Sequence, residues 1–214
     1  MMDVREWVNQ VQLHAGKQGD YIRVQSHPSF LQPIGVGRSA AVFRLEGHPR
    51  LALKIFHPLF WKDGREEASA YRQLGSHLAY PRLHEANDGY LLLDYIDGMT
   101  FYQCLIEGVP ITEEMVAQVD EALSHAETKG LFPSDIHLKN ILLTPDQNII
   151  IIDLARFSTP KACSKWSDLK KAYDRYYATG RFPKRVPERV LIWIMNQYRH
   201  QGAHFSAPYF SSKS

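Results

Sequence analysis

Apolar side chains at Val4, Trp7, Val8 and Val11 recur at helical spacing, so residues 3–13 predict an amphipathic helix. Residues 14–27 turn polar around Gly16 and Gly19 and predict a loop with a short strand at Tyr21 to Val24. The run from Ile34 through two glycines to Ala41-Val-Phe-Arg-Leu45 predicts a hairpin, because the second arm keeps a strand pattern. Gly47-His-Pro49 then turns the chain into a strand at Leu51 to Phe56. Asp63-Gly-Arg-Glu66 has the form of a capping box and predicts a helix start. Tyr80 to His84 and Tyr90 to Ile96 flank the Asn87-Asp-Gly89 turn and predict two more strands. Together these elements predict a five-stranded antiparallel sheet with one main helix.

Asp97-Gly98 breaks the pattern and marks a boundary. Helices follow at Thr100 to Glu107 and about Thr112 to Lys129, the second with a stripe of Met115, Val119, Ala122 and Leu123. Ile141-Leu-Leu143 and Ile149 to Ile152, split by Thr-Pro-Asp-Gln-Asn, predict a further hairpin. Trp166-Ser-Asp-Leu169 opens another helix, with Asp168 placed to cap it or to brace the loop ahead of Asn140. Pro187 starts the last helix, with Val190, Trp193, Ile194 and Tyr198 on one face. The expected division is a helix and linker at 1–27, a sheet unit at 28–97, a short helical unit at 98–201 and a flexible tail at 202–214.

The bulk numbers exclude several classes. A chain of 214 residues, 44% hydrophobic and 22% charged, is an ordinary globular composition. A formal net charge of +2 gives no whole-protein argument for nucleic acid. Cys104 and Cys163 are the only cysteines and no Cys-x-x-Cys occurs, which suits a reducing compartment. The start MMDVREWVNQVQL lacks the apolar core of a signal peptide, and no apolar run approaches the ~18 residues of a membrane span. The expected setting is cytoplasmic, without a transmembrane segment.

The chemistry concentrates between Phe132 and Phe157. Folding the second hairpin brings Asn140 and Asp153 to its open end. An amide oxygen beside a carboxylate is a hard-oxygen site suited to Mg²⁺. Asp135, just upstream, is left to meet a nucleophile. Gly35 and Gly37 give a turn without Cβ atoms, through which backbone N–H groups can approach phosphate oxygens. Such a pair also occurs in plain hairpin turns. Lys54 is a single cation in an apolar strand and needs a carboxylate unless it snorkels to the edge. Glu67 shares a helix face with Tyr71 and Leu74 and is the better partner; Glu66, on a more polar face, is the second candidate.

These residues resemble, in order, the eukaryotic-like protein kinase superfamily with its small bacterial serine/threonine kinase-like members. The matching positions are Gly35-x-Gly37-x-x-Ala40-x-Val42, Lys54, Glu67, the Leu91 to Gly98 hinge, Asp135-x4-Asn140 and Asp153. The resemblance implies an α+β, bilobal protein-kinase-like fold with a shortened, mostly helical C-terminal lobe. It implies ATP between the lobes, with adenine against the backbone of Asp94 to Ile96 and Leu93 as gatekeeper. Lys54 would hold the α/β-phosphates, Asn140 and Asp153 would hold Mg²⁺, and Asp135 would take the acceptor's proton. His137 stands where protein kinases carry a lysine and small-molecule kinases of the aminoglycoside type carry His; the resemblance implies a catalytic contact with the γ-phosphate, and the alternative is a structural histidine.

The departures bear on the acceptor. Pro133-Ser134 replaces His-Arg, so the usual phosphate-receiving arginine is missing. Asp153-Leu-Ala155 replaces Asp-Phe-Gly, no Ala-Pro-Glu follows, and about 60 residues remain, as in minimal RIO and lipopolysaccharide-kinase types. The reading is an ATP- and Mg²⁺-dependent kinase acting on protein Ser/Thr hydroxyls, its own included. The alternatives are a small-molecule hydroxyl acceptor, or a nucleotide-binding pseudokinase scaffold. Residues 161–189 hold nine Lys/Arg against three acids, with Tyr173, Tyr176, Tyr177 and Phe182 interleaved. That segment could meet an anionic partner; the plainer reading is a solvated face with its aromatics in the core.

Overall fold

A computed structural model describes residues 4–17, 20–160 and 163–201, with side chains as far as residue 198. The expected tail at 202–214 and Lys161 of the basic segment lie outside the described residues. The elements run α1 (Val4–Asn9), β1 (Gln12–His14), β2 (Arg23–Ser26), β3 (Leu31–Val36), β4 (Ala40–Leu45), β5 (His48–Phe56) and α2 (Trp61–Leu74). Then come β6 (Leu83–Asn87), β7 (Tyr90–Asp94), β8 (Met99–Thr100), α3 (Phe101–Glu107) and α4 (Glu113–Thr128). Last are β9 (Ile141–Leu143), β10 (Ile149–Ile151), α5 (Lys165–Ala172), a π-helical turn (Tyr173–Tyr177) and α6 (Glu188–Gln201).

The architecture is mixed α+β. Five antiparallel strands form the main sheet in the order β3-β4-β5-β7-β6. Its alternating residues face two separate clusters. Leu31, Phe43, Leu45, Leu53 and Tyr90 pack with Val4 and Ile22, so α1 covers one face. Trp7 meets Phe30 edge to face at 5.3 Å on that side. Phe56, Leu91 and Leu93 join the other cluster, which runs through α2, α4 and the β9–β10 hairpin. Pro33 is tolerated because β3 is an edge strand, and the register shifts between Pro33 and Gly35.

Several expectations are corrected. The first helix stops at Asn9 and does not reach residue 13. Gln12–His14 instead pairs with Arg23–Ser26, so Leu13 lies opposite Val24. Strand pairing there overrides a helical spacing that Val11 merely prolongs. The capping box does not open α2. A 3-10 turn at Pro58–Phe60, with His57 Nδ1 accepting the Leu59 N–H at 3.3 Å, starts the helical path earlier. Asp63 therefore sits in the first turn, near the positive helix end. The strand expected at Tyr80 begins only at Leu83; Tyr80 is buried and its hydroxyl donates to Ala122 O at 2.7 Å. Among the described side chains of α6, Leu191 is the buried one, while Trp193 is 47% exposed.

A small three-stranded sheet, β10-β9-β8, carries the second hairpin, and β8 was not foreseen. Met99 pairs with Leu143, which ties the chain after the main sheet to the hairpin. Gly98 permits this approach, since a Cβ there would lie 2.7 Å from Leu143 O. Thr100 and Gln103 form a reciprocal capping box that opens α3 directly afterwards. Among the described residues, no helix is long and apolar enough to cross a membrane.

Candidate active site

Sheet register aligns the first candidates. Gly35 pairs with Val42, Val42 with Lys54, and Lys54 with Leu91. The glycine arm thus lies two strands from Lys54. Gly37 N–H donates to Ala40 O at 2.8 Å and closes a tight turn. Neither glycine needs its missing side chain for packing. A Cβ on Gly35 would meet only Val42 at 4.0 Å, and one on Gly37 only Ala40 O at 3.4 Å.

Lys54 is buried, and Glu67 of α2 is fully buried beside it. The Lys54 ammonium donates to Glu67 Oε1 at 2.8 Å and Oε2 at 2.6 Å. It also donates to Asp153 Oδ1 at 2.9 Å, from a residue ninety-nine positions away. Burial alone would lower the Lys54 ammonium, but the Asp153 and Glu67 carboxylates outweigh it and hold it well above its ordinary value. Burial pushes the Glu67 carboxyl up to about 7, against the pull of Lys54. Lys54 holds Asp153 below its ordinary value, and half of that side chain still reaches solvent. Glu66, the second candidate, faces outward to Lys62 at 3.6 Å.

The β9–β10 hairpin brings Asn140 and Asp153 to the same end. Ile151 pairs with Ile141, and Ile152 N–H donates to Asn140 O at 2.9 Å. The Asn140 amide nitrogen donates to Asp135 O at 3.3 Å, which turns its Oδ1 away from that contact. Asp135 and Asp153 each hold a left-handed backbone with φ of 64°. Asp and Asn visit this region more readily than most residues, and such outliers cluster at functional sites. Burial lowers His137 below its ordinary value, which keeps the imidazole neutral near neutral pH.

Three contacts were not legible in the sequence. The Lys165 ammonium, from the first residue of α5, bonds Asp135 Oδ1. Asp135 N–H points at Cys163 Sγ at 3.4 Å. Ser134, in the position of the missing arginine, donates to Arg156 O at 2.7 Å and pins the loop to the stretch after Asp153. Lys165 belongs to the basic segment, but no spacing signal marks which of its cations folds back.

Most of the other basic-segment side chains also have partners inside the chain. Lys170 pairs with Asp120 at 2.6 Å, Lys184 lies 4.1 Å from the Tyr177 ring, and Arg185 donates to Ile106 O at 3.2 Å. Asp168 accepts from Ser164 and Tyr198 at 2.7 and 2.8 Å, joining the start of α5 to α6. At the hinge, Leu93 is buried opposite Ala52. The Asp94 carboxylate takes the Arg82 N–H at 3.0 Å and His84 at 2.7 Å, so it serves β6. A cavity of about 690 Å³ lies elsewhere, between α1 and the Asp88–Gly89 turn, and contains none of the candidate side chains.

A buried lysine of the main sheet is held between a helix carboxylate and the carboxylate that follows the β9–β10 hairpin. The chain is 44% identical over 184 residues to a protein of Bacillus subtilis (strain 168) named "Putative serine/threonine-protein kinase YrzF", and the match covers 86% of each chain. The chain belongs to the same kinase-like family as that protein. No family model matches it.

Proposed function

We propose that the chain is an ATP- and Mg²⁺-dependent phosphotransferase that acts on Ser/Thr hydroxyls of protein, its own included. The observation that carries this reading is Lys54 bonded at once to Glu67 and Asp153. That bridge fixes an ammonium where α/β-phosphates would lie and keeps the Asp153 carboxylate ionised beside it. The reading takes the main sheet with α2 as one lobe, the remainder as a shortened second lobe, and the nucleotide between them.

The donor set fits the cofactor. Among the described residues, no group of three or more His, Cys, Asp and Glu could hold a metal. Mg²⁺ needs no such cage, because one or two protein oxygens plus phosphate and water complete its shell. Asn140 Oδ1 and Asp153 would hold it, and it would neutralise phosphate charge. The Gly35 and Gly37 positions, open above the chain, leave room for phosphate against the backbone. At the hinge, Asp94 N–H and Tyr95 N–H already donate to Arg82 O and Arg50 O. Ile96 N–H is then the hinge donor that would meet the adenine edge, beside the carbonyls of Asp94 to Ile96. Asp135 would orient the acceptor hydroxyl and take its proton.

The name of the B. subtilis relative supports a protein acceptor. The small-molecule alternative is favoured by one contact pair. Cys163 and Lys165 lie against Asp135 from the backbone and carboxylate sides, which narrows the approach for a peptide.

Thermal unfolding with and without Mg-ATP tests the reading. Wild type should gain about 2.7 kcal/mol at a hundredfold excess over Kd. The gain should vanish in Asp153→Ala and Lys54→Ala. No gain in wild type sinks both enzyme readings, whereas a gain without transfer to any acceptor leaves a nucleotide-binding scaffold.

A further inference from the structure

We infer that Lys165 is a catalytic residue of this site, whose ammonium binds the oxygens of the transferring phosphoryl group and rests on Asp135 between turnovers. The inference depends on the phosphotransferase reading above.

Lys165 reaches Asp135 from thirty residues away and bonds its Oδ1. Its side chain is partly exposed, so the ammonium is reachable from solvent rather than sealed in a core. The segment that carries it is anchored. Cys163 Sγ lies 3.4 Å from Asp135 N, Trp166 Nε1 donates to Asp120 at 2.7 Å, and Lys170 pairs with Asp120 at 2.6 Å. Those contacts fix the first turn of α5 on α4 and leave the Lys165 side chain to reach Asp135.

The neighbouring ammonium groups are committed. Lys54 is held by Glu67 and Asp153, and Lys139 lies 4.3 Å from the Tyr102 ring. Transfer places negative charge on the equatorial oxygens of the moving group, and a fixed cation there stabilises it. Lys165 is the ammonium adjacent to the residue that receives the proton.

The step balances without a further reactant. The acceptor oxygen forms a bond to the γ-phosphorus as the bond to the β-phosphate oxygen breaks. The bonding pair leaves on ADP, and the hydroxyl proton goes to Asp135. Lys165 keeps its protons and exchanges Asp135 Oδ1 for phosphoryl oxygens, freeing the carboxylate for the proton.

The test combines equilibrium titration with Mg-ADP and Mg-ATP and the rate of phosphate transfer from labelled ATP. It compares wild type, Lys165→Met and Lys165→Arg. Lys165→Met should bind Mg-ADP as wild type does, bind Mg-ATP about tenfold more weakly, and turn over about a hundredfold more slowly. Lys165→Arg should recover most of both losses. A Lys165→Met protein as fast as wild type, or faster, overturns the inference; the faster case makes Lys165 a plug. Loss of Mg-ADP binding in Lys165→Met also overturns it, because the role is then structural. If that variant does not fold, Lys165→Gln decides by the same readings. Wild type binding neither nucleotide defeats the phosphotransferase reading and this inference with it. Wild type binding both while Lys165→Met matches it throughout defeats this inference alone.

Discussion

Asp135 and Asp153, eighteen residues apart, hold the same left-handed backbone, each with φ of 64°. Each precedes a turn by about two residues, and each carboxylate meets an ammonium, Lys165 for Asp135 and Lys54 for Asp153. A Cβ in that region costs about 1–2 kcal/mol, which glycine avoids. Asp135→Gly should therefore be more stable than Asp135→Ala by about that amount, though both lose the carboxylate. Urea unfolding of the pair checks it; equal midpoints would mean the backbone relaxes.

The Lys54–Glu67 pair predicts a non-additive cycle. Lys54→Met leaves Glu67 buried without its cation and should destabilise the fold by about 3–5 kcal/mol. The double variant Lys54→Met/Glu67→Leu should regain much of that loss, because two apolar groups replace a broken ion pair. A double variant no more stable than Lys54→Met would contradict the burial of this pair as its governing feature.

The same site sets opposite pH dependences. Glu67 is raised in the folded protein from 4.5 to about 7, so the fold binds its proton more tightly than the unfolded chain does. Its contribution is present below 4.5 and is lost as pH rises through about 7. Asp153 is lowered from 3.8, so its contribution is present above 3.8 and is lost as pH falls through its depressed value. Glu67→Gln should flatten the stability profile between pH 4.5 and 7, and Asp153→Asn should flatten only the acid limb. Urea midpoints measured across pH check both; a Glu67→Gln profile parallel to wild type would refute the first.

Much of the site was legible because its chemistry is local in sequence. Asn140 and Asp153 flank one hairpin, and two short apolar runs split by a Thr-Pro-Asp-Gln-Asn turn predicted that hairpin. The main sheet was legible for the same reason, since each of its turns carries Gly, Asn or Asp. The failures come from pairings that sequence separation hides. Gln12–His14 joins a strand partner instead of continuing α1. Met99–Thr100 is too short to show a period, yet it completes the small sheet. The basic segment could be read for charge, but Lys165 on Asp135 depends on how α5 packs on α4. On α6 the spacing identified a face but missed Leu191, because Trp193 is large enough to suggest burial it does not have.

Two glycines should separate folding from binding. A Cβ on Gly98 would press on Leu143 O at 2.7 Å, so Gly98→Ala should destabilise the fold by about 1–3 kcal/mol. Gly35 has room for a Cβ and no positive φ, so Gly35→Ala should leave stability within about 0.5 kcal/mol of wild type. Its Mg-ATP affinity should nevertheless fall, as calorimetric titration would show. Unchanged affinity would mean the turn does not carry phosphate.

The most direct test of the central claim is phosphate transfer from γ-labelled ATP, with Mg²⁺ or with EDTA, to protein and small-molecule panels. Wild type should transfer label only with Mg²⁺. Asp135→Asn, which keeps the left-handed backbone and removes the base, should bind Mg-ATP normally and transfer about 10²–10⁴-fold more slowly. Transfer by Asp135→Asn at the wild-type rate, or no transfer by wild type to any acceptor, would contradict the account.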